Sequence, residues 1–155
     1  MNMRSYYFDT GVIVTPLLKN REPSVIDACL KWLERVALGE VHAVTSFLTW
    51  DEVTWVAGKA GGSYERNRAI KAGELLLSLS NLEFVPVDEG VTRGAQAMLA
   101  QFGFRPRDCI HAASALLHSG GELVSLDSGF LKEPALSSAA GLNVTCIVPS
   151  SGTGT

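Results

Sequence analysis

The sequence predicts an α/β fold in which a parallel sheet is covered by helices on both faces, and three observations predict it. Short apolar runs alternate with longer amphipathic ones along the chain. The short runs, such as Tyr6-Tyr7-Phe8 and Leu123-Val124, are continuously apolar, as strands buried on both faces are. Two of the strands close on an aspartate followed by a turn-forming stretch, Asp9-Thr10-Gly11 and Asp127-Ser128-Gly129. Both carboxylates then lie just past a strand's carboxyl end, the edge where open parallel sheets hold their ligands.

The elements follow in order. Residues 4–9 form a first strand and 24–38 a helix, capped by Ser24 with Asp27 three residues on and ended by Gly39. Residues 41–45 form a second strand, and 47–57 a helix. The glycine-rich stretch 58–63 breaks the pattern and predicts a mobile loop. The helix over 64–79 turns Leu75, Leu76 and Leu79 toward the core. Residues 82–87 form a third strand, and Asp88 caps a helix ending near Phe102-Gly103. Residues 107–118 form another helix, 122–126 a fourth strand and 143–148 a fifth. Paired helices on either side of the third strand carry Glu52 and Asp108 to the rim. One domain is expected over 1–148, with a frayed Ser/Gly/Thr-rich tail over 149–155.

Composition narrows the setting. A chain of 155 residues, 46 % hydrophobic, can bury one proper core. A net charge of -3 excludes a generally basic nucleic-acid binder, although the four rim carboxylates account for more than that whole excess. Cys29, Cys109 and Cys146 are far apart and odd in number, which argues against a disulfide framework or a zinc site. Free thiols in a reducing cytosol are expected. No apolar stretch approaches the roughly 20 residues of a membrane span, and the early first strand leaves no room for a signal peptide.

Asp9, Glu52, Asp108 and Asp127 together define the candidate site. Glu52 and Asp108 fall in the first turn of their helices, whereas the two other aspartates end strands. Each has a plainer role open to it: Asp9 and Asp127 as turn starters, Glu52 in a capping box with Thr49, Asp108 as a charge at a helix start. Jointly placed on one rim, they suit a hard divalent cation held by oxygen ligands, and so a metal-dependent phosphodiesterase. Asp51 competes with Glu52, because helix neighbours point roughly 100° apart and only one can face the cleft. Periodicity does not decide between them. Without cations, four clustered carboxylates repel one another, so a partly protonated or poorly ordered site is expected.

Four segments carry a resemblance. Tyr7-Phe8-Asp9-Thr10-Gly11-Val12-Ile13 resembles the opening of a PIN-domain nuclease, and Thr45-Ser46-Phe47-Leu48-Thr49-Trp50-Asp51-Glu52-Val53 resembles that family's second acidic motif. Arg107-Asp108-Cys109-Ile110-His111-Ala112-Ala113-Ser114-Ala115 is similar to the third, and Leu123 through Phe130 to the fourth. The resemblance implies a three-layer α/β/α sandwich around a parallel five-stranded sheet ordered 3-2-1-4-5. It selects Glu52 over Asp51. It further implies a ribonuclease using Mg²⁺ or Mn²⁺, with Asp9 anchoring the principal ion and Asp108 and Asp127 completing its sphere. Glu52 then binds a second ion or orients the attacking water. Compact relatives of this kind suggest a VapC-like toxin of a toxin–antitoxin pair: a cytoplasmic homodimer that cuts tRNA or rRNA and is silenced by a small antitoxin protein. Gly11 departs from the pattern, which usually has Asn there. That departure supports an alternative reading, a PIN-like module that binds RNA or protein without cutting.

Around these carboxylates, Thr10 and Ser125 are candidate supporting hydrogen-bond donors. Arg105 and Arg107, and more distantly Lys59, Arg66 and Arg68, are candidate phosphate contacts. Trp50 and Trp55 are candidate stacking partners for unpaired bases, with core packing expected for at least one. His111 lies in an apolar helix and reads as a hydrogen-bonded structural histidine. A dehalogenase-type phosphatase is disfavoured because it needs a second aspartate where Gly11 stands. A receiver domain is disfavoured because its acidic pair and late lysine are missing.

Overall fold

A computed structural model of the chain describes residues 3–18, 20–126, 130, 138 and 140–147. Asp127 and the tail therefore lie outside the described residues. The elements are β1 (Ser5–Phe8), α1 (Thr10–Val14), a 3₁₀ turn (Thr15–Leu17), α2 (Pro23–Ala37), β2 (His42–Ser46), α3 (Phe47–Gly58), α4 (Arg66–Leu77), β3 (Leu82–Val85), α5 (Glu89–Phe102), α6 (Pro106–Ser119), β4 (Glu122–Ser125) and β5 (Asn143–Cys146).

All neighbouring strands pair in parallel, in the order β3-β2-β1-β4-β5, as expected. β1 is central, and alternate residues along it feed two cores. Tyr6 and Phe8 pack with Val12, Cys29, Val53 and Leu76 on one face of the sheet. Tyr7 packs on the other face with Val44, Val91, Met98, Cys109 and Ala112. Burying side chains of this size contributes roughly 1.5–3 kcal/mol each before entropy is set against it. The order of strand addition reverses between β1 and β4, so the switch point opens at the carboxyl ends of those two parallel strands.

Local rules explain the element boundaries, and several differ from expectation. α2 starts one residue before Ser24, with Glu22 at the cap and Pro23, whose fixed φ suits a first helical position, just inside. Ser24 is therefore not the cap. Gly39 follows the helix end at φ 73° as expected, and Asp88 caps α5 by accepting from the Val91 N–H at 3.0 Å. α1 and the 3₁₀ turn were not expected, because an eight-residue stretch is too short to display a helical period. Leu76 is buried and Leu79 packs against the same core, but Leu75 is 48 % exposed. Adjacent helical residues diverge, so Leu75 and Leu76 could not both face inward. The glycine stretch after α3 is tied by Arg68, which donates to the carbonyls of Gly58 and Ser63 and pairs with Glu65.

Candidate active site

Asp9 sits at the hinge between β1 and α1. Its backbone N–H still donates to Val124 O of β4 at 3.0 Å, while Oδ1 caps α1 by accepting from Thr10 N at 2.7 Å. Ser125, the last residue of β4, donates to Asp9 Oδ2 at 2.8 Å. The carboxylate is thus held by donors on both sides.

Glu52 arrives from α3. It lies in the helix's second turn, not its first, because Ser46 is the cap and Thr49 is spent internally, accepting from Thr45 Oγ1 at 2.7 Å. The capping-box alternative is thereby removed. Asp51 is exposed, whereas the Glu52 side chain keeps only 16 % of its surface. Glu52 Oε1 accepts from Thr10 Oγ1 at 3.0 Å, and Arg107 Nη1 stands 3.7 Å from Oε2.

His111 joins the two acids, and sequence reasoning misplaced it. It is hydrogen-bonded as expected, yet it lies inside the carboxylate cluster. Its Nε2 is 2.6 Å from Glu52 Oε1 and 3.5 Å from Asp9 Oδ1. Its Nδ1 is 2.7 Å from Tyr7 Oη, which itself donates to Ser46 Oγ at 2.9 Å. The Glu52 carboxylate can only accept, so Nε2 carries the proton in that bond, while the Tyr7 hydroxyl lies within hydrogen-bond reach of both Nδ1 and Ser46 Oγ. Burial alone would push its pKa down. The bond to Glu52 and the neighbouring charges override burial and raise the pKa to about 10. Burial likewise pushes Glu52 up, but the bond and charge of His111, with Thr10 and Arg107, leave it below the ordinary carboxylate value. His111 thus places a buried basic group between Glu52 and Asp9. The available signal was Asp108 and His111 at i and i+3, a spacing that shares one helix face.

Asp108 lies in the first turn of α6, half-buried, on that same face. Asp127, the fourth expected ligand, lies outside the described residues. Among the described residues, no three acidic, histidine or cysteine side chains converge as a metal cage. Asp9 and Glu52 approach as a pair spanned by imidazole. The carboxylate oxygens are of the kind that bind hard divalent cations.

The outer residues divide. Arg107 reaches the site, whereas Arg105 is an exposed helix cap. Trp50 and Trp55 are 46 % and 54 % exposed, so neither packs in the core as expected for one of them. Trp55 stacks on Tyr64 at 5.6 Å between centroids, because α3 turns that side outward. Trp55 and Lys59, three and seven positions after Glu52, carry that helix face into a groove of about 640 Å³ also lined by Arg68 and Lys71. Arg66 is exposed at the start of α4 and does not line this groove. At Gly11 a Cβ would fall 2.9 Å from Leu126 Cδ1, so a side chain there would require Leu126 to shift.

A sequence model of the PIN domain matches residues 6–135. The chain belongs to the PIN domain family. No curated protein matches it by sequence. Solved structures share the PIN fold, among them VapBC2 from Rickettsia felis, bound to a promoter DNA fragment. That match has TM-score 0.63 and 20 % identity, over 92 % of this chain and 98 % of the other. A toxin–antitoxin complex from Klebsiella pneumoniae matches with TM-score 0.61 and 19 % identity, over the same 92 % and 98 %. VapBC-1 from nontypeable Haemophilus influenzae gives 0.58 and 23 %, covering 92 % and 97 %. These identities show a shared fold. Among the described residues, no helix of this PIN protein is long and apolar enough to cross a membrane.

Proposed function

We propose that this PIN protein is a divalent-metal-dependent endoribonuclease and the toxin of a toxin–antitoxin pair. The observation that carries the reading is the approach of Asp9 and Glu52, from β1 and α3, to one point on the sheet's carboxyl edge. Family membership supports nuclease chemistry, and the fold shared with toxin–antitoxin complexes supports the cellular role.

In this reading Asp9, Glu52, Asp108 and Asp127 hold Mg²⁺ or Mn²⁺. Such an ion, when bound, would supply a water of lowered pKa and neutralise charge on the phosphate. The remaining steps belong to the chain. Ser125 and the Thr10 N–H orient Asp9, and the Thr10 hydroxyl orients Glu52. Arg107, exposed on one side and near Glu52 on the other, meets the phosphate of the incoming strand. RNA of the tRNA or rRNA class is the substrate, a small antitoxin protein the partner, and a cytoplasmic homodimer the working form. A non-cutting module draws its support from Gly11 alone, while Asp9 and Glu52 both remain in place.

The test is cleavage of mixed RNA in Mn²⁺ and in EDTA by wild type and Asp9→Asn. Cutting by wild type in Mn²⁺ alone, lost in Asp9→Asn, is expected. A folded, Mn²⁺-loaded wild type that leaves all RNA intact would sink the nuclease reading.

A further inference from the structure

We infer that Tyr7 and His111 are positioning residues that fix the Glu52 carboxylate in the pose needed for metal binding, an inference that rests on the nuclease reading above. Tyr7 is fully buried and His111 is 2 % exposed, so neither can meet substrate. They form one hydrogen-bonded line from Ser46 at the end of β2, through Tyr7 in β1 and His111 in α6, to Glu52 in α3. Two strands and a helix thus set the height and tilt of the ring. A glutamate on a helix surface has several rotamers open to it. Here His111 Nε2 and Thr10 Oγ1 both donate to Oε1, at 2.6 and 3.0 Å. One oxygen is engaged twice, and Oε2 is left on the side of Arg107.

The Tyr7 hydroxyl makes the case specific. The rest of its ring packs in the apolar core beneath α5 and α6, where phenylalanine would serve packing equally. Burying a hydroxyl is costly unless it is hydrogen-bonded, and the bonds it makes lie on this line.

Mn²⁺ affinity, measured by titration calorimetry, tests the inference in wild type, Tyr7→Phe, His111→Ala and His111→Gln, with melting curves alongside. Outer hydrogen-bond partners of metal ligands typically change affinity by about 10–100-fold. Tyr7→Phe should stay folded and weaken Mn²⁺ binding about tenfold, and His111→Ala should weaken it further. His111→Gln, which restores an N–H near the Nε2 position, should recover part of the loss. The same variants should lower kcat with little change in KM for RNA. If His111→Ala fails to fold, Tyr7→Phe and His111→Gln decide. Folded variants that melt earlier but bind Mn²⁺ as wild type does, or more tightly, would overturn the inference and leave the nuclease reading intact. Wild type that binds no Mn²⁺ removes both together.

Discussion

The proton on His111 belongs to the folded state of the metal-free protein, and stability follows it. The ring's pKa rises from 6.5 to about 10 on folding, so the folded chain binds that proton more tightly than the unfolded chain. Its contribution is complete below pH 6.5 and is lost as pH rises through about 10. Glu52 works in the opposite sense: its depressed pKa contributes above 4.5 and is lost as the solution turns more acidic. In EDTA, wild type should therefore exceed His111→Gln in stability by most between pH 4.5 and 6.5, with the gap narrowing toward pH 10. Urea unfolding at a series of pH values measures the gap, and a gap that widens with pH would contradict it. Of this the sequence offered only the i, i+3 spacing of Asp108 and His111. His111 has Ile110 and Ala112 beside it and its partner Glu52 lies 59 residues away, so no local pattern announces the pair. Asp9 was marked by its place after a strand, whereas the choice of Glu52 over Asp51 rested on the resemblance, since periodicity left it open.

Helices here are set by their ends. Asp88 holds α5 with one bond to Val91 N at 3.0 Å, far from the carboxylates in sequence and on a separate helix. Asp88→Ala should cost about 1 kcal/mol, the usual worth of such a cap. The checks are a lower urea midpoint and unchanged RNA cleavage; lost cleavage at full folding would mean α5 reaches the site. The same logic explains what sequence reading achieved for elements. Long amphipathic stretches and glycine stops placed α3, α5 and α6 within a residue or two. It missed α1, whose five residues offer a single turn. That omission mattered chemically, since α1 supplies the Thr10 hydroxyl to Glu52.

The whole molecule carries a net charge of -3 and still must approach a polyanion on the proposed reading. Attraction then depends on local cations, and Arg107 is an exposed one near Glu52. Arg107→Gln should raise KM for RNA several-fold and flatten its salt dependence by roughly one phosphate contact. KM measured from low to high salt decides; an unchanged slope would exclude the contact. At this scale, sheet order followed from resemblance, since strand pairing leaves no trace in one sequence. The three-layer plan was readable from the alternation itself. β1 has one further consequence. Within Tyr6 to Thr10, successive side chains enter one core, the other core, the first again, the cluster, and the support of Glu52. A genetic screen for inactive clones would thus gather hits in these five positions for two unrelated reasons, misfolding and silent chemistry. Soluble yield, read clone by clone, would sort one kind of casualty from the other.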